Sequence, residues 1–175
     1  MAGVVADAML RSMDCYFGLA SLTERHVIKE NGKKGTRVNQ NIKELKSFFV
    51  DIDVDADDSS KYATQADALD ALDAFLETYS FPAPLVVSSG GGLHVYWPLT
   101  ETVAAAKWRQ AAAMFKSGLI NAGLKIDPTR TADACSILRV PGTVNLKRDA
   151  QVAVLRECLP VSGKSFIECM KSLPI

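Results

Sequence analysis

The sequence predicts a mixed α/β fold in one domain, on three observations. Apolar residues recur at helical spacing over residues 63–79 and 103–121. Strongly apolar or alternating runs at 45–53, 85–89 and 93–99 read as strands. The length of 175 residues suits one sizeable core rather than two.

The elements follow in chain order. Residues 15–22 (CYFGLASL) read as a strand, and the polar, glycine-containing stretch 31–35 as a hairpin loop. Residues 45–53 form the strongest strand signal, and 55–60 (DADDSS) a loop. In the first helix Ala68, Leu69, Leu72, Phe75 and Leu76 make the apolar stripe, Thr64 the N-cap, and Pro82 and Pro84 the stop. Three glycines, Gly90 to Gly92, punctuate the hairpin between the next two strands. The second helix has Thr102 as its expected cap and Gly123 just beyond its end. Residues 124–156 read as short strands and turns, with Pro141-Gly142 a turn, and a short helix starts near Ser165. The expected core spans about 14–157, with 160–175 a short helix or the start of a linker.

Composition narrows the function classes. A hydrophobic share of 48% and an aromatic share of 7% belong to a folded globular chain. No apolar run approaches the ~20 residues of a membrane span. Residues 1–10 carry Asp7 and no basic leader, so a cytoplasmic protein without signal peptide or membrane partner is expected. Cys15, Cys135, Cys158 and Cys169 are scattered without a C-x-x-C pair, so no zinc is expected. Net charge is +0, so any nucleic-acid affinity must be local. One basic segment holds Lys29, Lys33, Lys34, Arg37, Lys43 and Lys46; it is either a DNA-tracking patch or an ordinary solvated surface.

Three constellations carry possible chemistry. In Phe48-Phe49-Val50-Asp51-Ile52-Asp53, strand alternation puts Asp51 and Asp53 on one face and Phe48, Val50 and Ile52 on the other. Two carboxylates about 5 Å apart at an effective dielectric near 20 repel by roughly 3 kcal/mol. A pair of divalent ions is the natural counter-charge, since carboxylates suit Mg²⁺ or Mn²⁺ and two such ions fit in-line phosphoryl transfer. The competing reading is an exposed edge strand whose aspartates are simply solvated. The second constellation is Ser88 to Trp97 (SSGGGLHVYW). Its glycines permit an anion-binding turn of backbone amides, and His94 beside them suits a phosphate oxygen; a hydrogen-bonded histidine in a hairpin is the alternative. The third is Asp127, then Asp133, then Arg139 to Lys147 (RVPGTVNLK), an acid followed by cations suited to phosphates.

Taken in this order, the motifs resemble those of the archaeo-eukaryotic primase superfamily, in particular the primase-polymerases of phages, plasmids and other mobile elements. The likeness covers roughly residues 16–147 and rests on Asp51-Ile52-Asp53, Ser89 to Trp97, Asp127 or Asp133, and Arg139 to Lys147. It implies two small α/β halves, one like an RNA-recognition-motif sheet, with the active site in the cleft between them. It further implies that Asp51, Asp53 and a third aspartate hold two Mg²⁺ or Mn²⁺ ions. Asp127 is preferred as that third acid because residues 124–126 can form a strand delivering it; Asp133 competes. Ser89, Gly91, Gly92, His94, Arg139, Asn145 and Lys147 are then expected around a nucleoside triphosphate, and Lys33, Lys34 and Arg37 along single-stranded DNA. Helicase or accessory regions are expected outside this chain. The zinc element of many relatives is undetectable here. Two other functions compete: a non-catalytic replication-initiation module binding single-stranded DNA, and a metal-dependent nuclease or phosphohydrolase.

Overall fold

The computed structural model describes residues 13–174. The expected absence of a leader concerns residues 1–10, which lie outside that range. The elements are β1 (Tyr16–Gly18), β2 (Ala20–Leu22), β3 (Val27–Ile28), β4 (Lys34–Gly35), β5 (Ile42–Asp53), α1 (Gln65–Thr78), β6 (Leu85–Ser88), β7 (Gly92–Ala104), α2 (Ala105–Asn121), β8 (Ile137–Arg139), β9 (Val144–Asn145), β10 (Ala150–Gln151), β11 (Ala153–Arg156) and α3 (Gly163–Met170). Among the described residues no helix is long and apolar enough to cross a membrane.

The principal sheet has the order β11-β6-β7-β5-β2, and every neighbouring pair is antiparallel. The long partners β5 and β7 form its spine. One face carries Phe48 of β5 and Trp97 of β7 into an aromatic cluster with Trp108 and Phe115 of α2 and Phe166 of α3. Phe48 stacks on Phe166 with ring centroids 4.7 Å apart. Each such buried ring contributes roughly 1.5–3 kcal/mol by leaving water. The indole N–H groups are also satisfied: Trp97 donates to Pro82 O at 2.8 Å and Trp108 to Ser47 O at 2.9 Å. Because Phe166 is fully buried, α3 belongs to this core.

The first helix begins where its cap residue dictates. Thr64 accepts from Asp67 N at 3.1 Å while Asp67 accepts from Thr64 N at 3.0 Å, a reciprocal capping box. The second helix departs from expectation. The β5–β7 ladder resumes beyond a bulge, pairing Leu45 with Val103 and Glu44 with Ala104, so Thr102 stays in the strand and Ala104 precedes the helix without a side-chain cap. Residues 15–22 also divide. The chain bends at Leu19 because β1 pairs with β8 whereas β2 joins the edge of the main sheet against β5.

By strand alternation Asp51, Asp53 and His94 point to the face opposite Phe48 and Trp97, and there the β1–β8 ribbon and the β9–β10 hairpin bring Tyr16, Arg139 and Asn145 to line a cavity with them.

Candidate active site

Asp51 and Asp53 lie at the end of β5, and the antiparallel register sets Asp51 opposite His94 and Asp53 opposite Gly92. The tight β5–β7 approach explains Gly92: a Cβ there would stand 2.0 Å from Ile52 O. Gly92 is buried and close-packed, and it does not line the adjoining cavity. Gly90 adopts a positive φ of 80° to turn the hairpin. The expected cradle of glycine amides is largely spent within the turn. Gly90 N and Gly91 N point at the Ser88 and Ser89 hydroxyls at 3.4 Å, and Ser89 N donates to Gly92 O at 2.9 Å. Asn145 braces the same turn, donating from Nδ2 to Ser89 O at 2.8 Å.

Asp127 reaches the aspartates without the strand expected at 124–126. The chain leaves α2 through Gly123, whose φ is 86°, and docks on β5 by two bonds. Asp127 N donates to Asp51 O at 2.7 Å, and Asp51 N donates to Thr131 Oγ1 at 3.4 Å. Within the turn, Asp127 Oδ1 accepts from Thr129 N at 2.7 Å and Thr129 Oγ1 at 2.6 Å. Asp133 instead closes its own turn, Oδ1 accepting from Cys135 N at 3.0 Å and Oδ2 from Ser136 Oγ at 3.3 Å.

Asp51, Asp53 and Asp127 line one cavity of about 290 Å³; Asp133 does not. Ser89, Gly91 and His94 form a second wall. Arg130, Arg139, Lys147 and Arg148 supply cations around the rim, and Tyr16 and Ile137 an apolar side. The sequence reading missed Arg130, Arg148 and Tyr16. Arg130 sits three residues past Asp127 in the docking turn, and Arg148 directly follows Lys147, so both had a local signal; Tyr16 had none. Arg139 is held in place, paired with Asp14 and lying 4.8 Å over the Tyr16 ring. The basic hairpin of Lys33 and Lys34 lies outside this cavity, and Arg37 reaches the 133–136 turn, donating to Cys135 O at 3.3 Å.

The electrostatics are unbalanced. Burial pushes the Asp51 carboxyl up to about 7, and the charges of Asp53 and Asp127 add to the effect while Arg130 opposes it. Burial, and then the Arg139 charge, brings His94 down to about 4. His94 is thus neutral at pH 7, so its approach of 3.8 Å to Asp51 is not an ion pair. Its Nδ1, the Tyr96 hydroxyl and Asn145 Oδ1 are buried without partners among the described residues. Among the described residues no three Asp, Glu, His or Cys side chains already converge on a single ion position. The three aspartates nevertheless fit a divalent metal: they offer hard oxygen donors, and the burial of Asp51 beside the charges of Asp53 and Asp127 disfavours its ionised form in a way that a cation would relieve.

No family model matches the chain. Among curated proteins, a "Replication protein" of Clostridium perfringens is 30% identical over 127 residues, an alignment covering 71% of this chain and 30% of that protein. The chain thus spans less than a third of the relative's length. Among solved structures, the archaeo-eukaryotic primase domain of the primase-polymerase of cyanophage S-2L is similar with a TM-score of 0.64, at 16% identity, covering 99% of this chain and 77% of that one. The mixed α+β architecture, its antiparallel sheet and this likeness together give the chain the fold of the archaeo-eukaryotic primases.

Proposed function

We propose that this chain is the catalytic domain of a replication primase-polymerase, which makes or extends primers on single-stranded DNA from (d)NTPs. The observation that carries the reading is one cavity with Asp51, Asp53 and Asp127 on one wall and Arg130, Arg139, Lys147 and Arg148 around its rim. That division of charge matches a nucleoside triphosphate and its divalent ions. The fold likeness and the replication-protein relative support the same reading.

In this scheme Asp51, Asp53 and Asp127 hold two Mg²⁺ or Mn²⁺ ions. When bound, such ions lower the pKa of an attacking hydroxyl and stabilise a leaving phosphate. Neutral His94 offers an N–H to a phosphate oxygen, and the rim cations neutralise the triphosphate. The reaction joins a 3′-oxygen to the α-phosphorus, breaks the α–β anhydride, and releases pyrophosphate and a proton to solvent. The basic segment of Lys33, Lys34 and Arg37 is the proposed contact for template phosphates, and helicase or accessory regions would act from outside this chain.

The test is incubation with Mn²⁺, labelled nucleotides and single-stranded DNA, with and without a primer. Products lengthening from dinucleotides establish priming, and primer-dependent extension establishes a polymerase. Release of mononucleotides from the DNA without use of triphosphate would instead assign a nuclease. Asp51→Ala and Asp53→Ala should each abolish synthesis in a folded protein; full activity in either removes the scheme.

A further inference from the structure

A second cavity, of about 250 Å³, is lined by Asp53, Ser60, Lys61, Lys125 and Asp127 among others. Asp53 and Asp127 also line the first cavity, so these two carboxylates are the wall between the two spaces. The cations on the far side are held in place. Lys125 Nζ donates to Ser59 O at 2.8 Å and to Lys61 O at 3.0 Å, and its backbone N–H donates to the Tyr62 hydroxyl at 3.1 Å. The two carbonyls, and the Tyr62 ring whose centroid lies 5.5 Å from Nζ, fix the ammonium without cancelling its charge. Lys61 faces Asp58 at 3.2 Å and Asp55 at 3.9 Å, so Lys125 is the less neutralised of the two.

In-line phosphoryl transfer brings the attacking oxygen and the leaving group to opposite sides of the reacting phosphorus. With the triphosphate in the first cavity, the other reactant must approach across the shared carboxylate wall. We infer that the second cavity receives the nucleotide bearing the attacking 3′-hydroxyl, with Lys125, assisted by Lys61, on its phosphate. That nucleotide is either a primer end or an initiating nucleoside triphosphate; both present a phosphate to the same lysines. This inference rests on the polymerase reading.

The test uses the whole chain and the variants Lys61→Met, Lys125→Met and Lys125→Arg. Lys61→Met leaves the backbone carbonyl that anchors Lys125, and Lys125→Arg keeps the charge. One arm measures, with Ca²⁺ and no nucleotide, the affinity for a primed over an unprimed template. The other measures dinucleotide formation on unprimed template against concentration of the first nucleotide. Lys125→Met should lose about tenfold in one arm or both, the affected arm identifying the source of the phosphate, while Lys125→Arg retains the effect. Lys61→Met should lose less, and the KM of the incoming nucleotide on a primed template should be unchanged in all three. Wild-type behaviour of Lys125→Met in both arms overturns the inference, as does an equal rise in the incoming-nucleotide KM. A wild-type chain that adds no nucleotide, yet prefers a primed template through Lys125, would remove the polymerase reading and leave this site standing.

Discussion

Asp51 and His94 face each other across the β5–β7 ladder with Oδ1 and Nε2 3.8 Å apart, and both are driven toward their neutral forms. Burial is the leading cause for each. A protein built only for stability has no reason to set a desolvated carboxylate within reach of the charges of two others, Asp53 and Asp127, when the histidine facing it is uncharged.

Asp51 makes metal-free stability depend on pH. Its folded value of about 7 lies above the ordinary 3.8, so between those values the folded state holds the extra proton. Stability from this group is present below pH 4 and is lost as pH rises through 7, by ~4 kcal/mol in all. Asp51→Asn should therefore raise the melting temperature of the metal-free protein at pH 8 by roughly 8–16 °C and leave it nearly unchanged at pH 4. Differential scanning calorimetry in EDTA checks this; an equal gain at both pH values contradicts it. Mn²⁺ should stabilise the wild type more at pH 8 than at pH 5, and Asp51→Asn should lose most of that gain.

His94 has the opposite sign. Its folded value of about 4 lies below the ordinary 6.5, so its contribution is complete above pH 6.5 and is lost as pH falls toward 4. Replacing it by Gln should flatten the acid limb of the stability curve. In steady-state synthesis His94→Ala should raise the nucleotide KM about tenfold with a smaller change in kcat. An unchanged KM removes His94 from the phosphate site.

Arg130 and Arg148 should each matter to the triphosphate and not to folding, since both are exposed at the cavity rim. Alanine at either is expected to raise the nucleotide KM by about tenfold, as loss of a charge-assisted hydrogen bond does, with the melting temperature within about 1–2 °C of wild type. Arg130→Ala should also raise the Asp51 value further, because the Arg130 charge now lowers it. Titration of the Asp51 carboxyl by NMR reads that shift directly, and a fall would contradict the arrangement.

The glycines of the 90–92 turn should separate. Gly92→Ala would force a Cβ to 2.0 Å from Ile52 O and part the strands that carry Asp51 and His94. We expect a loss of more than 3 kcal/mol in urea unfolding. Gly91→Ala meets only the Arg148 side chain, nearest atom 3.3 Å, and should cost under 1 kcal/mol. Equal losses would mean that the turn, and not the strand approach, requires glycine.

Much of this protein is written locally. Alternation over Phe48 to Asp53 by itself placed the aromatic ring in the core and both carboxylates on the opposite face, because side chains in a strand alternate whatever the partner. Thr64 and Asp67 likewise specified where α1 starts, since both halves of a capping box lie within three residues. What needed the tertiary structure was every relation that crosses the chain. Residues 124–126 form no ladder, so Asp127 arrives beside Asp51 through two hydrogen bonds to a distant strand. Thr102 loses its helix to a β-ladder that extends past a bulge, and Asp133 is consumed by a turn that its local sequence equally permitted. Tyr16 meets Arg139 only because β1 pairs with β8. Periodicity and caps act over a few residues and can be read in one dimension; which carboxylate faces which cation depends on strand register and loop docking, which only the packed chain decides.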